Sequence, residues 1–177
     1  SKTQAPSREW LVGGLASSVI FIPFIILLLA FLNFPENGKA VLIPIYQWMA
    51  AGELDISVTY RMDSLSLLMG LIVSGVGSLI HVYSIGYMHG DKDFARFFSY
   101  MNLFIFAMMN LILAENLPLM FLGWEGVGLC SYLLIGFWYD KKFDGVGITW
   151  TGNAANKAFI VKRIGDIAML IATVLIF

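Results

Sequence analysis

Two carboxylates stand where an apolar chain should not carry them: Glu125 in MFLGWEGVGLCSYLLIGFWY and Asp166 in FIVKRIGDIAMLIATVLIF. An ionisable group at the centre of a membrane helix is costly, so each is a functional hypothesis by default. A desolvated carboxyl binds its proton more tightly unless a cation lies nearby. Such a group takes up or releases a proton as a neighbouring charge arrives or leaves. Glu125 lies about eight residues into its apolar run, ~12 Å deep at the helical rise, and Asp166 about eleven residues into its own, ~16 Å deep. Glu125 stands in Gly123-Trp124-Glu125-Gly126-Val127-Gly128, where three glycines thin the helix and let water or another helix approach. It has no basic residue within four positions, so its partner must come from a different helix. Asp166 has Arg163 three positions earlier on the same helical face. A static ion pair and a proton-path role therefore both stay open for it. Lys162 and Arg163 are also long enough to snorkel toward a membrane surface.

Other polar residues point to packing rather than chemistry. Haem ligation by two histidines needs them to face each other from different helices. His81 and His89 lie on or just after one helix, which reads as two surface histidines. Asn102 and Asn110 are expected to donate hydrogen bonds between helices. Cys130, the single cysteine, lies in an apolar run and acts as a small hydrophobe. Ser66, Gly70, Ser74 and Ser78 recur every four residues, a small-residue stripe against which another helix packs closely. Trp48, Trp138 and Trp150 fall near membrane edges, as an aromatic belt does.

The elements that must position these residues are membrane helices. Of 177 residues, 59% are hydrophobic and 13% charged, against about 25% charged in a soluble domain. The formal net charge of −1 leaves no basic face for nucleic acid. A bilayer core takes roughly 20 apolar residues in a helix. Five stretches qualify, at about 10–34 (with Pro23 inside), 63–87, 94–114, 117–138 and 155–177, so the fold class is an all-α polytopic bundle forming a single membrane domain over 1–177. The connection 35–62 ends in LDISVTYRMD, which alternates as a half-buried strand does and, with IPIYQWM before AAGE, fits a short β-hairpin on the membrane surface as well as an irregular amphipathic loop. The amino end and the second and fourth connections carry Lys2, Arg8, Lys92, Arg96, Lys141 and Lys142, with Lys157 nearby, against Lys39 and Arg61 opposite. The positive-inside rule places the richer side in the cytoplasm or its matrix equivalent. The polar start SKTQAPSREW and the apolar end LIATVLIF both read as internal to a longer chain.

With these residues in view, MFLGWEGVGLCSYLLIGFWY (120–139) resembles the signature helix of the antiporter-like L subunit (chain 5) of proton-translocating NADH:quinone oxidoreductase. FIVKRIGDIAMLIATVLIF (159–177) resembles the helix that follows it, and the segments within 62–110 fit as well. The WEGVGLCSYLLIGF block is similar too in the large antiporter subunits of multi-subunit sodium/proton exchangers. The resemblance implies that Glu125 is the membrane glutamate that pairs with a lysine to form the proton-translocating site. It also implies that Asp166 and Arg163 are the acidic and basic pair on the next helix. The partner lysine would belong to a later helix, outside this sequence. No cofactor is expected in this chain. Flavin and iron–sulfur clusters are expected in partner subunits, with quinone as the substrate of the whole complex. Expected partners are other membrane subunits, above all a neighbouring antiporter-like one, together with lipid and protons. The bacterial inner membrane is the expected location, ahead of the mitochondrial one.

Three functions compete at this point. The first is a proton-pumping subunit of a redox-driven translocase, and the second a subunit of a sodium/proton exchanger. The third is a structural membrane anchor in which Glu125 forms a static ion pair.

Overall fold

The helices begin and end where local chemistry dictates. The computed structural model of the protein describes residues 6–34, 39–51, 54–140 and 150–176. In chain order these form α1 (Pro6–Leu32), β1 (Val41–Ala51), β2 (Leu54–Met62), α2 (Ser64–Tyr87), α3 (Phe94–Leu113), α4 (Leu117–Ile135) and α5 (Trp150–Ile176). Asp63 starts α2. Its carboxylate accepts from the Ser66 amide at 2.8 Å, and the Ser66 hydroxyl accepts from the Asp63 amide at 2.8 Å, a reciprocal capping box. Asn116 starts α4 by accepting from the Leu119 amide at 2.9 Å, with Pro118 in the first turn, where a missing N–H costs nothing.

All five expected helices form, with α5 starting five residues earlier than its apolar run. Four of them, α1 to α4, are long and apolar enough to cross a membrane. α5 carries Lys157, Lys162, Arg163 and Asp166, so its placement beside them depends on how those charges are paired. The 35–62 connection resolves into the hairpin rather than the irregular loop. β1 and β2 pair antiparallel from Val41 against Met62 to Ala51 against Leu54, with register shifts at Pro44/Tyr46 and Gln47/Met49. The strands are long, 11 and 9 residues, and the hairpin is clamped to the turn between α3 and α4. Tyr60 donates to Asn110 Oδ1 at 2.6 Å, Asn116 to the Ser57 carbonyl at 2.7 Å, and the Glu115 amide to the Thr59 carbonyl at 3.1 Å.

The small-residue stripe of α2 does face other helices. Ser66, Gly70, Ser74 and Ser78 are buried. A Cβ on Gly70 would meet Leu27 of α1 at 3.1 Å and Met109 of α3 at 3.5 Å. One on Gly77 would meet Ile105 of α3 at 2.9 Å and Ile20 of α1 at 3.8 Å. The hydroxyls do not join helices: Ser74 and Ser78 donate back to the carbonyls of Gly70 and Ser74 at 2.6 and 2.7 Å. Smallness, not hydrogen bonding, makes this contact.

Two expectations fail here. His81 is no surface residue but continues the stripe, 0% exposed, with Nδ1 against the Gly77 carbonyl at 2.8 Å and its ring edge-on to Phe98. Its position three residues after Ser78 puts it on the buried face, and periodicity outweighs polarity. Nor do Asn102 and Asn110 donate across helices. Both donate to their own helix, at Phe98 and Phe106, and Asn110 reaches out only as an acceptor from the hairpin. His89 is exposed as expected, and Cys130 is buried.

The start of α1, the α2–α3 connection and the end of α4 gather at one end. His89 meets Glu9 of α1 at 2.8 Å, and the Gly90 amide donates to the same carboxylate at 3.3 Å. Gly90 has φ +79°, a left-handed turn that favours glycine. Lys92 donates to Asp140. That bond holds the Asp140 carboxyl below its ordinary value and pushes the Lys92 ammonium above its own. Beneath lie Met88, Phe94, Phe98 and Phe137, with the Arg96 guanidinium 4.9 Å from the Phe137 ring centre, a cation–π contact. Arg8, Lys92 and Arg96 belong to this end, whereas Lys2, Lys141 and Lys142 lie outside the described residues. Trp138 is at the same end, where Nε1 donates to Asp91 at 3.2 Å. The side chain of Trp150 is outside the described set.

Candidate functional site

α4 is held between α3 and α5, and its three glycines divide between those neighbours. A Cβ on Gly123 would stand 2.5 Å from the Leu111 amide nitrogen and 3.0 Å from the Ala107 carbonyl, and one on Gly126 would stand 2.9 Å from the Ala107 methyl. Those two glycines bring α3 and α4 into backbone contact. Gly128 faces the other way, and a Cβ there would overlap the end of the Lys162 side chain from α5. The thinning of α4 thus admits a helix on one side and a lysine on the other.

Glu125 sits at the ninth residue of α4, in the middle of the span. Its partners come from α5: Arg163 donates to Oε1 at 2.9 Å, and the Lys162 ammonium lies 4.0 Å from Oε2. The sequence requirement for a partner on another helix is met. The expected Arg163–Asp166 pair is replaced by a different pairing. Arg163 turns outward to Glu125 and lies 5.0 Å over the Phe159 ring, while Asp166 takes the lysine one turn back, 3.4 Å from Oδ2. Spacings of three and four both bring side chains together on a helix, and here the inward-facing Lys162 wins Asp166. Both basic side chains meet carboxylates, and Arg163 keeps 51% of its side chain exposed.

Asp166 is the most enclosed member, with 2% of its surface exposed. Trp124 donates its indole N–H to Oδ1 at 2.7 Å. Oδ2 has no hydrogen bond; its contact with Lys162 is one of charge alone. Lys162 donates instead to the Trp124 carbonyl at 2.9 Å. In a helix that carbonyl faces the residue four positions on, which is Gly128, and the missing side chain leaves the oxygen within the lysine's reach. Two carboxylates and two cations thus balance. The cluster opens on a cleft lined by Phe121, Glu125, Arg163, Asp166, Ile167 and Leu170. Lys162, Trp124 and Gly128 were not singled out as site residues from sequence. The i−4 spacing of Lys162 from Asp166 was the available signal. Among the described residues no group of three or more His, Cys, Asp and Glu side chains could hold a metal ion.

Fold and site together define a polytopic helical membrane chain with a charge-balanced cluster between α4 and α5. Two family profiles match: "NADH-Ubiquinone oxidoreductase (complex I), chain 5 N-terminus" over residues 48–98, and "NADH:quinone oxidoreductase/Mrp antiporter, TM" over residues 114–177. NADH-quinone oxidoreductase subunit L of Pseudomonas aeruginosa is 46% identical over 84% of this chain, and that of Escherichia coli is 47% identical over 82%. Subunit L of Buchnera aphidicola is 43% identical over 89%. A chain in the structure of the Mrp complex from a Dietzia species superposes with a TM-score of 0.70 over 96% of this chain and 16% of its own length, at 21% identity. The protein belongs to the family of chain 5 (subunit L) antiporter-like membrane subunits of NADH:quinone oxidoreductase. It spans 23% of the length of the Pseudomonas and Escherichia relatives.

Proposed function

We propose that this chain forms the front part of a proton-translocating subunit of a NADH:quinone oxidoreductase in a bacterial inner membrane. Electron transfer from NADH to quinone, through flavin and iron–sulfur groups in other subunits, drives protons past Glu125. The observation that carries this reading is Glu125 at mid-span, held by cations from a different helix. Protonating Glu125 removes the charge that holds Arg163 at 2.9 Å and leaves that guanidinium free to move. A positive charge arriving beside the cluster does the reverse and expels the proton. Proton occupancy and side-chain position are thereby linked. A neighbouring antiporter-like subunit and lipid complete the surroundings, with the Lys92 end in the cytoplasm, where the positive-inside rule puts it.

A sodium/proton exchanger subunit is the second reading, favoured by the superposition on the Mrp chain. The relatives at 43–47% identity are subunits of the oxidoreductase, and that sets the order. Glu125→Gln in the assembled complex tests the role. The amide keeps size and hydrogen bonding but cannot exchange a proton. Protons pumped per electron should fall in reconstituted vesicles while assembly persists, and Glu125→Asp should retain more activity. Unchanged stoichiometry in the Gln variant removes Glu125 from the path, and poor assembly with normal pumping per complex returns it to a structural ion pair.

A further inference from the structure

The Lys162 ammonium is surrounded as a bound metal cation would be. Around Nζ stand the Trp124 carbonyl oxygen at 2.9 Å, Asp166 Oδ2 at 3.4 Å and Glu125 Oε2 at 4.0 Å. Carbonyl and carboxylate oxygens are the hard donors that take alkali and alkaline-earth ions. Asp166 Oδ2 is buried, aimed at this position, and without a hydrogen bond of its own. An acceptor in that state is costly unless a positive charge stands before it. Gly128 completes the seat, because any side chain there would collide with the lysine's end.

The geometry points to Lys162 as the residue that makes this site select protons over sodium, by filling the cation position with a charge that cannot leave. A sodium ion needs that space and those oxygens, so it must first displace an ammonium tethered one helical turn from Asp166. A proton needs neither. It binds directly to a carboxylate oxygen, and Glu125 Oε2, at 4.0 Å from the ammonium, accepts it without moving the lysine. This rests on the reading of Glu125 as an ion-path residue and adds which ion it admits.

The test is equilibrium binding of radioactive sodium to the purified, assembled complex, together with NADH-driven sodium uptake into vesicles. Lys162→Ala vacates the position and should bind sodium on the order of tenfold more tightly than the unmodified complex, and adding Glu125→Gln should abolish the gain. Gly128→Ala puts a methyl carbon into the same position, so adding it to Lys162→Ala should also remove the gain. Lys162→Arg, which keeps the charge, should stay near the unmodified value. The inference is overturned if the unmodified complex already binds sodium in a Glu125-dependent manner. It is overturned equally if Lys162→Ala does not raise affinity, or if Gly128→Ala leaves the gain of Lys162→Ala intact. Binding is measured without turnover, so its outcome is separate from the Glu125→Gln pumping result: normal pumping there refutes the proton path, while the sodium measurement still reports who occupies the seat.

Discussion

Gly123→Ala should disturb this protein more than any other glycine-to-alanine change in α4 that faces α3. The new methyl carbon would stand 2.5 Å from the Leu111 nitrogen, 2.8 Å from its Cα and 3.0 Å from the Ala107 carbonyl, where ordinary contact begins near 3.4 Å. All three neighbours are backbone, so no side chain can swing aside. α3 and α4 must part by about 0.9 Å, the shortfall at the closest atom. Overpacking of this kind costs roughly 1–3 kcal/mol, and an obstacle made of backbone belongs at the upper end. Gly126→Ala meets only the Ala107 methyl at 2.9 Å and should cost less. Gly165→Ala, with nothing within 4 Å, is the control and should improve helix propensity slightly. The assay is the thermal inactivation midpoint of the intact complex after mild detergent extraction, with each variant compared at equal expression. The expected order of stability is Gly165→Ala at or above the unmodified protein, then Gly126→Ala, then Gly123→Ala. If Gly123→Ala matches the control, α3 and α4 are not in the backbone contact described here.

Two further perturbations probe the bundle and the charge cluster. Gly70→Leu drives a branched side chain into Leu27 and Met109; it should cost roughly 1–3 kcal/mol and lower the yield of assembled complex, and normal yield would turn the α2 stripe to lipid. A double-mutant cycle between Arg163 and Glu125 should show coupling on the order of 1 kcal/mol, while one between Arg163 and Asp166 should be close to additive; the reverse result would restore the pairing within α5.

The helices were legible in the sequence because apolar length is a strong signal: 64–87 and 94–113 fall within a residue of their expected bounds. The hairpin was only half legible. Alternation in LDISVTYRMD suggested β2, but the β1 stretch VLIPIYQWMAA alternates poorly, and Pro44 argues against a paired interior strand. Its seat on the bundle comes from anchors far along the chain, at Asn110 and Asn116, which no local pattern displays. His81 is polar and so reads as a surface residue, yet it continues the face of Ser66, Gly70, Ser74 and Ser78 by one more turn and is buried with it. At the site, Glu125 and its need for a partner on another helix were plain from sequence. The exchange of partners on α5 was not, because Arg163 and Lys162 both lie within a turn of Asp166, and only the position of Gly128 decides which one turns inward.

That last point makes the site a property of an interface rather than of either helix. Glu125 is fixed by Arg163, Asp166 by the Trp124 indole, and Lys162 by the Trp124 carbonyl, so three polar links run between α4 and α5. Gly123 and Gly128 are five residues apart, about 140° around α4 at 3.6 residues per turn, so one side of the helix seats on α3 while the other receives the lysine. A shift of α4 between those two neighbours alters the spacings that cross to α5, 2.9 Å from Arg163 and 4.0 Å from Lys162 to Glu125, while the 3.4 Å Lys162–Asp166 spacing lies within α5. Charges this close respond steeply to distance. A movement of α3 and α4 too small to break any helix would shift α4 against the pairs that tie it to α5, and the glycines that look like passive thinning fix the spacing from which that shift starts.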